Sequence, residues 1–282
     1  MNLLLRCLAG CPLWLLHGWG WVVGWLVYAA SPTYRRRLRA NAASAGVPQC
    51  RVRESIAQAG KMVLELPYLW LRPDSDRLEG RVVRWAGREH VEAALAAGRG
   101  IVFLTPHLGC FEVTAQAYAE AFGARSPITV LYRPARQQAL REVVEASRAR
   151  AGLKTAPATL AGVRQMIRAL KNGEVVGVLP DQVPPQGLGV WAPFFGQPAY
   201  TMTLAARLAQ QTGAAVLLAW GERLPWGRGY RVHFEPLTES LGQPDDLAQS
   251  ATVINRAMER LIMRCPQQYL WGYHRYKQPR DL

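Results

Sequence analysis

The sequence is poor in acidic side chains and in cysteine. Its 282 residues include 20 Asp and Glu against 34 Lys and Arg, which gives a net charge of +14 at pH 7. The five cysteines are widely spaced, and none forms a C-x-x-C pair. We therefore expect no disulfide framework, and reduced thiols facing the cytosol are the simplest interpretation. The positive charge favours an anionic partner: nucleic acid, anionic lipid or an acidic carrier protein.

Several motifs with a known chemical mechanism are also absent. The chain has no G-x-S-x-G elbow, no H-E-x-x-H and no phosphate-binding G-x-x-x-x-G-K-[ST]. A serine hydrolase of that type and nucleotide hydrolysis therefore have no support. No cysteine and histidine cluster has zinc spacing, and no G-x-G-x-x-G follows a strand, so neither a metal nor a bound cofactor is expected. Basic residues accompany an apolar segment rather than an evident recognition helix, which argues against nucleic acid.

Formal charge is missing from an N-terminal stretch. Residues 8–30 are uncharged and include four tryptophans. About 20 apolar residues span a hydrocarbon core, so residues 1–32 are predicted to form a membrane-anchoring helix ahead of a domain at 33–282. Basic residues mark the cytoplasmic side of such a helix, and they follow here as Arg35, Arg36, Arg37 and Arg39. A signal peptide ending near "VYAA" and a helix lying in the membrane interface remain as alternatives.

Beyond residue 50, strand-like and helical patterns alternate. Apolar runs predict buried strands at 100–105, 128–132 and 174–180, with further strands at 81–86, 214–220 and 230–237. Helical spacing and glycine stops predict helices at 55–70 (broken at Pro67), 89–98, 110–123, 136–150, 160–171, 201–213 and 245–263. This alternation predicts an α/β domain with a largely parallel central sheet flanked by helices.

Polar residues follow three of the predicted buried strands. His107, Arg133 and Asp181 each come just past a strand end. Sites in parallel sheets form at the carboxyl ends of the strands. We therefore expect these three side chains at one edge of the sheet.

The stretch "FLTPHLGCFE" (103–112) contains a histidine and, five positions later, a carboxylate. In one continuous helix His107 and Glu112 would not face each other. Pro106 and Gly109 instead favour a loop that ends before a new helix, with Glu112 in its first turn. From there the carboxylate can reach the ring, fix its tautomer and make the other nitrogen a base for a hydroxyl. A helix-capping glutamate beside a solvated loop histidine is the alternative.

Five blocks of sequence occur in an order that resembles one family. They are "GREHVEAALAAGRGIVFLTPHLGCFEV", "LYRP" (131–134), "GEVVGVLPDQ" (173–182), "PFFGQPAYTMTLAARLA" (193–209) and "QQYLWGYHRYK" (267–277). Together they resemble the bacterial lipid A biosynthesis (late) acyltransferases, within the H-x4-D/E glycerolipid acyltransferase group. The likeness covers nearly the whole chain. It departs at Cys110 and Phe111, where the family commonly has Asn-Trp, and this puts the acceptor or chain-length preference in doubt.

The resemblance implies a reaction and its partners. An acyl chain would pass from a thioester, usually on acyl carrier protein, to a hydroxyl of a phosphorylated lipid A precursor at the cytoplasmic side of the inner membrane. Acyl-CoA is the alternative donor. His107 would be the general base and Glu112 its orienting partner. The strongly basic chain suits an acidic carrier and a phosphorylated, membrane-bound acceptor.

Four further residues are candidates for substrate binding, each beside a simpler alternative. Arg133 would contact a phosphate or the phosphopantetheine of the carrier, unless it is an ordinary surface arginine. Arg148 would extend this basic face along the next helix, or merely be solvated. Asp181 would hold Arg133 or a donor group, or cap a turn. Thr201 would lie near an acyl-chain pocket, or belong to the core and the start of a helix.

Two other functions stay open at this level. The nearer one is an acyltransferase with the same histidine and glutamate that acts on a lysophospholipid, an aminolipid or another glycolipid. The more distant one is a membrane-binding protein without catalytic activity.

Overall fold

The computed structural model describes residues 3–73, 76–80, 82–132 and 150–281. In this part of the chain the helices are α1 (Leu3–Gly10), α2 (Leu13–Ala30), α3 (Pro32–Ser44), α4 (Gln49–Leu71), α5 (Arg88–Ala97), α6 (Phe111–Phe122), α7 (Leu160–Lys171), α8 (Leu204–Thr212) and α9 (Leu247–Arg264). The strands are β1 (Val83–Ala86), β2 (Ile101–Leu104), β3 (Ile128–Tyr132), β4 (Leu153–Pro157), β5 (Val175–Val178), β6 (Gly189–Phe194), β7 (Gln197–Met202), β8 (Ala215–Arg223) and β9 (Tyr230–Pro236). Arg133, Arg148 and all but the last residue of the helix predicted at 136–150 lie outside the described residues.

The main sheet has the order β1-β9-β8-β2-β5-β3-β4. Neighbouring strands are parallel except for β8 and β9, which are antiparallel. Strands β6 and β7 form a separate antiparallel pair. Helices cover the sheet, so the predicted α/β fold with a largely parallel sheet is confirmed. At its centre β2 and β5 are buried at every position, because each is apolar throughout and lies between two other strands.

The core has one layer on each face of this sheet. Along β2, Ile101 and Phe103 pack on one side with residues of α5 and α6. Val102 and Leu104 pack on the other side with residues of α7, α8 and α9. Side chains alternate between the faces of a strand, so an unbroken apolar run serves both layers.

The structure corrects several predicted boundaries. Strands β4, β6 and β7 were not predicted, and the helix expected at 201–213 begins at Leu204 because residues 201–202 complete β7. Helix α4 runs through Pro67, where a break was expected. The proline removes one backbone hydrogen bond, to the carbonyl of Val63. Since the Val63 side chain is half exposed, water can reach this part of the helix. On its other side, packing against α2 stabilises α4.

The apolar N-terminal segment forms α1 and α2, which Pro12 separates. Among the described residues, α2 is the helix whose length and composition would allow it to cross a membrane, and 33% of it is buried within the protein. Its buried face packs against α4. The predicted apolar N-terminal helix is therefore present, but it lies against the rest of the fold.

Candidate active site

The loop between β2 and α6 presents His107 and is anchored on both sides. The backbone N–H of Gly109 donates to Gln268 O (2.9 Å), and that of Cys110 donates to Gly221 O (2.8 Å). The His107 carbonyl accepts from the N–H of Leu270 (3.2 Å). Gly109 has φ +60°, and a Cβ atom there would collide with the Gly221 carbonyl oxygen. Glycine is therefore required at this position, and the loop holds His107 in one orientation.

Strand pairing brings His107 and Asp181 together. Leu104 of β2 pairs with Val178 of β5, and the two polar residues lie three positions beyond these partners. The Asp181 carboxylate accepts from the His107 backbone N–H (2.9 Å, to Oδ2). Its other oxygen, Oδ1, lies 2.7 Å from His107 Nδ1. Both oxygens of Asp181 thus bond to the same residue, one to its backbone and one to its ring.

The Asp181 carboxylate is charged, which fixes the tautomer of the ring. Burial would raise the pKa of Asp181, but the charge and hydrogen bonds of His107, together with the charge of Arg275, lower it below its ordinary value. A charged carboxylate only accepts hydrogen bonds, so Nδ1 of His107 carries the hydrogen. In the neutral form of the ring the lone pair is then on Nε2.

Two side chains lie beside the ring apart from Asp181. Gln182 Nε2 lies 3.0 Å from His107 Nε2 and donates to it. The Phe111 ring packs beside the imidazole, with centroids 5.0 Å apart. The His107 side chain is 15% exposed, against 1% for Asp181. The arrangement therefore offers a nitrogen base on a partly exposed side chain, whose opposite nitrogen is held by a buried carboxylate.

The structure gives Asp181 the position that sequence reasoning assigned to Glu112. Glu112 lies in the first turn of α6, as expected, and is 9% exposed. The hydrogen bond at Nδ1, however, goes to Asp181. A role for Glu112 in the site stays a prediction, and its expected contact with the ring nitrogen is filled by a residue 74 positions away from His107.

Thr201 lies in the core, within β7. Its hydroxyl donates to Ala199 O (3.0 Å) and accepts from Asn255 Nδ2 (2.9 Å) and Arg275 Nη2 (2.7 Å). These contacts fix the β6–β7 hairpin to α9 and to the C-terminal segment. A contact between Thr201 and substrate stays a prediction.

A second ionic cluster lies behind the loop, with Glu65 of α4 at its centre. Glu65 pairs with Arg223 of β8 (Oε2 to Nε 2.8 Å, Oε1 to Nη2 2.5 Å). It also bonds to His17 Nε2 (3.2 Å) and accepts from the Tyr230 hydroxyl (3.1 Å). Arg223 Nη2 also donates to Gly109 O (3.2 Å). The cluster thereby joins α2, α4 and the sheet to the loop that holds His107.

Sequence reasoning missed Gln182 and the Glu65–Arg223 pair. His107 and Asp181 lie at equal distances from the ends of their strands, and this would have predicted their contact once β2 and β5 were known to be neighbours. Gln182 follows Asp181 directly and would have been placed near the ring by the same argument. Glu65 and Arg223 lie 158 positions apart, and their pairing leaves no local pattern. Among the described residues, no group of three or more His, Cys, Asp or Glu side chains could hold a metal ion.

Comparison with known proteins identifies the family of the chain. The chain matches the bacterial lipid A biosynthesis acyltransferases over residues 2–278, and it belongs to that family. It is therefore an acyltransferase, which needs an acyl donor and a lipid acceptor.

Its curated relatives act on more than one lipid. The chain is 30% identical over 228 residues to an Escherichia coli (strain K12) lipid A biosynthesis lauroyltransferase, covering 79% of this chain and 71% of the relative. It is also 30% identical over 230 residues to a lipid A biosynthesis palmitoleoyltransferase of the same organism, covering 80% and 71%. A phosphatidylinositol mannoside acyltransferase of Mycobacterium tuberculosis (strain CDC 1551 / Oshkosh) is 27% identical over 242 residues, covering 74% of each chain.

Proposed function

We propose that this enzyme moves a fatty acyl chain from acyl carrier protein to a hydroxyl of a lipid A precursor, with His107 as general base. The observation that carries the proposal is the 2.7 Å contact between His107 Nδ1 and Asp181 Oδ1, which leaves Nε2 as the nitrogen that can act as base. Family membership and the relatives named as lipid A acyltransferases support the substrate class.

The proposed reaction has two proton transfers. His107 Nε2 takes the proton of the acceptor hydroxyl as its oxygen attacks the thioester carbonyl. The tetrahedral intermediate collapses, the C–S bond breaks, and the leaving sulfur receives the proton from the imidazolium. Asp181 holds the ring and stabilises its transient positive charge. The acyl group thus passes from sulfur to oxygen with no net gain or loss of protons.

Glu112 is proposed to bind the acceptor. Nδ1 already has Asp181 as its partner, while the Phe111 ring contact places the first turn of α6 beside the imidazole. A carboxylate in this turn suits an incoming sugar hydroxyl. Glu112→Gln should then raise KM for the acceptor more than it lowers kcat. If kcat fell while KM stayed unchanged, Glu112 would act in the transition state, as expected for a partner of the His107 ring.

Charge and the N-terminal helix support the proposed donor and location. The net charge of +14 suits an acidic carrier protein and an acceptor that carries phosphates. Arg133 and Arg148 are proposed to contact these phosphates. The apolar α2 and the arginines of α3 support attachment at the cytoplasmic side of the inner membrane.

A transfer assay tests the proposal. Purified enzyme would receive one labelled acyl chain, either on acyl carrier protein or on coenzyme A. The acceptors would be a lipid A precursor, a lysophospholipid and a phosphatidylinositol mannoside, with thin-layer separation of the products. We expect product with the lipid A precursor and the carrier-bound donor, and none with His107→Ala. If product formed only with the phosphatidylinositol mannoside, the proposed acceptor would be wrong. The acceptor would then be the lipid named for the relative from Mycobacterium tuberculosis.

A further inference from the structure

Helix α2 has one face packed on the protein and one face bare. Its buried residues are Leu13, Leu16, His17, Gly20, Gly24 and Tyr28. The rest of the helix surface exposes large apolar side chains over its whole length. The exposed fractions are 63% for Trp14, 57% for Trp19, 53% for Trp21, 39% for Val22, 63% for Leu26 and 45% for Val27. A contiguous apolar face of this kind marks an interaction surface.

The packed face of α2 lies against α4 at backbone contact. A Cβ atom on Gly24 would collide with the carbonyl oxygen of Ile56, and one on Gly60 would collide with that of Gly20. Small residues at these positions let the two helices approach closely. The buried contact between His17 and Glu65 (3.2 Å) joins the same two helices. Helix α2 is thus fixed along α4 rather than loosely attached.

This packing is incompatible with a membrane crossing by α2. Its 18 residues give a length of about 27 Å, close to the hydrocarbon thickness, so α4 would have to enter the bilayer beside it. Lys61 of α4 lies against Gly20, midway along α2. Glu65 is bonded to Arg223 of the central sheet, so the sheet would have to follow. Charged side chains at the bilayer centre are strongly disfavoured.

The bare face continues onto a neighbouring loop. Trp226, between β8 and β9, is 87% exposed. Its φ is +61°, a region that non-glycine residues seldom adopt. The next residue, Gly227, packs against the backbone of Trp14, and a Cβ atom there would collide with it. The fold therefore holds an exposed indole beside the first tryptophan of α2.

Charge identifies what this face contacts. Indole rings favour the headgroup depth of a bilayer. Arg36 and Arg39 are exposed on α3, immediately after α2, and the chain carries +14 overall. An exposed apolar helix surface with several indole rings and cationic residues nearby suits an anionic membrane surface.

We propose that the protein is monotopic: α2 lies in the plane of an anionic leaflet, with Trp14, Trp19, Trp21, Leu26 and Trp226 inserted among the lipids. The proposal deepens the membrane attachment proposed above and is independent of the acyl-transfer chemistry. A chain that binds vesicles as described but transfers no acyl group would remove the proposed function and leave this proposal standing.

Vesicle binding tests the face. Sedimentation with phosphatidylglycerol and phosphatidylethanolamine vesicles should show about tenfold weaker partitioning for Leu26→Ser, because a leucine loses its burial in lipid. Leu160→Ser is the matched control, since Leu160 is 67% exposed on α7, and it should bind like the wild type. Trp226→Ser should also weaken binding. Equal binding by the two leucine variants would overturn the assignment of the face.

Cysteine labelling tests the topology. Cys7 precedes α2, Cys50 follows it, and both are exposed. In inverted inner-membrane vesicles, whose cytoplasmic surface faces outward, a membrane-impermeant maleimide should label both, as peptide mass spectrometry would show. Labelling of Cys50 alone until the vesicles are lysed would mean that α2 crosses the bilayer, and would overturn the proposal.

Discussion

Two histidine–carboxylate pairs lie at or near the loop 105–110, and they differ in what surrounds them. In the first, His107 is bonded to Asp181, and both oxygens of the carboxylate serve that one residue. In the second, His17 is bonded to Glu65, whose oxygens also bind Arg223 and Tyr230. The His107 side chain is 15% exposed, while that of His17 is 6% exposed.

The difference teaches that the residue pair alone does not define a catalytic site. In the first pair the carboxylate supports a base whose other nitrogen can still accept a proton. In the second the carboxylate neutralises a buried arginine, and the histidine is one of several donors around it. We therefore assign chemistry to the first pair and stability to the second, and each substitution below should affect one property and spare the other.

His107→Ala should have the largest effect. Loss of a general base typically lowers the rate by about 10²–10⁴-fold, so transfer should fall to near the background of the assay. Because His107 is partly exposed at a loop, the melting temperature should stay close to that of the wild type. His17→Ala is the matched control and should show the reverse: a lower melting temperature and nearly full activity of the folded protein. Near-normal transfer by His107→Ala would contradict the mechanism.

Glu65→Gln should destabilise the protein strongly. It leaves Arg223 buried without its anionic partner, which typically costs about 3–5 kcal/mol in free energy of unfolding. Urea denaturation at pH 7 measures this loss. If Glu65→Gln unfolded at the wild-type urea concentration, the second cluster would not have the structural role assigned to it.

The same pair predicts a dependence of stability on pH. Burial would raise the pKa of Glu65, but Arg223 and His17 lower it from 4.5 to about 2. A carboxyl group with a depressed pKa contributes stability above its unfolded pKa, and the contribution is lost as pH falls through the folded pKa. Wild-type stability should therefore decline between about pH 4.5 and pH 2. Glu65→Gln should lack this part of the decline.

Much of the fold could be predicted from sequence, whereas the pairing within the site could not. Apolar runs predicted β2, β3 and β5 and placed His107 and Asp181 at strand ends. The carboxylate for His107 was chosen by nearness in sequence, as Glu112, because single-chain patterns carry no information on which strands are neighbours. The hairpin β6–β7 was missed because its aromatic and proline-rich sequence lacks the strict alternation that identifies strands. Tertiary packing likewise kept α4 continuous through Pro67.

Asp181→Asn should have an intermediate effect, on activity. The amide preserves the shape of the carboxylate but removes the negative charge that stabilises the imidazolium and fixes the tautomer. We expect kcat to fall about 10²-fold, less than for His107→Ala because the base remains. Steady-state kinetics on protein with a wild-type circular dichroism spectrum would measure this. A loss confined to KM would instead support the role of substrate contact that the sequence suggested for Asp181.

Gln182→Ala should have the smallest effect, and its direction is informative. In the resting enzyme the Gln182 amide donates to Nε2 of His107 (3.0 Å). The lone pair of this nitrogen is the one that must take the proton from the substrate hydroxyl. The acceptor hydroxyl has to displace this hydrogen bond, whose net worth is about 0.5–1.5 kcal/mol. Removing it should raise kcat/KM for the acceptor by about two- to tenfold.

The matched control is Gln186→Ala, at an exposed position four residues further on, which should leave kcat/KM unchanged. A fall in kcat/KM for Gln182→Ala would mean that the amide turns from the ring to the reacting oxygen. The Nε2 side of His107 would then contain a second functional group. The pair of His17 and Glu65, to which we assign a structural role, has no such requirement.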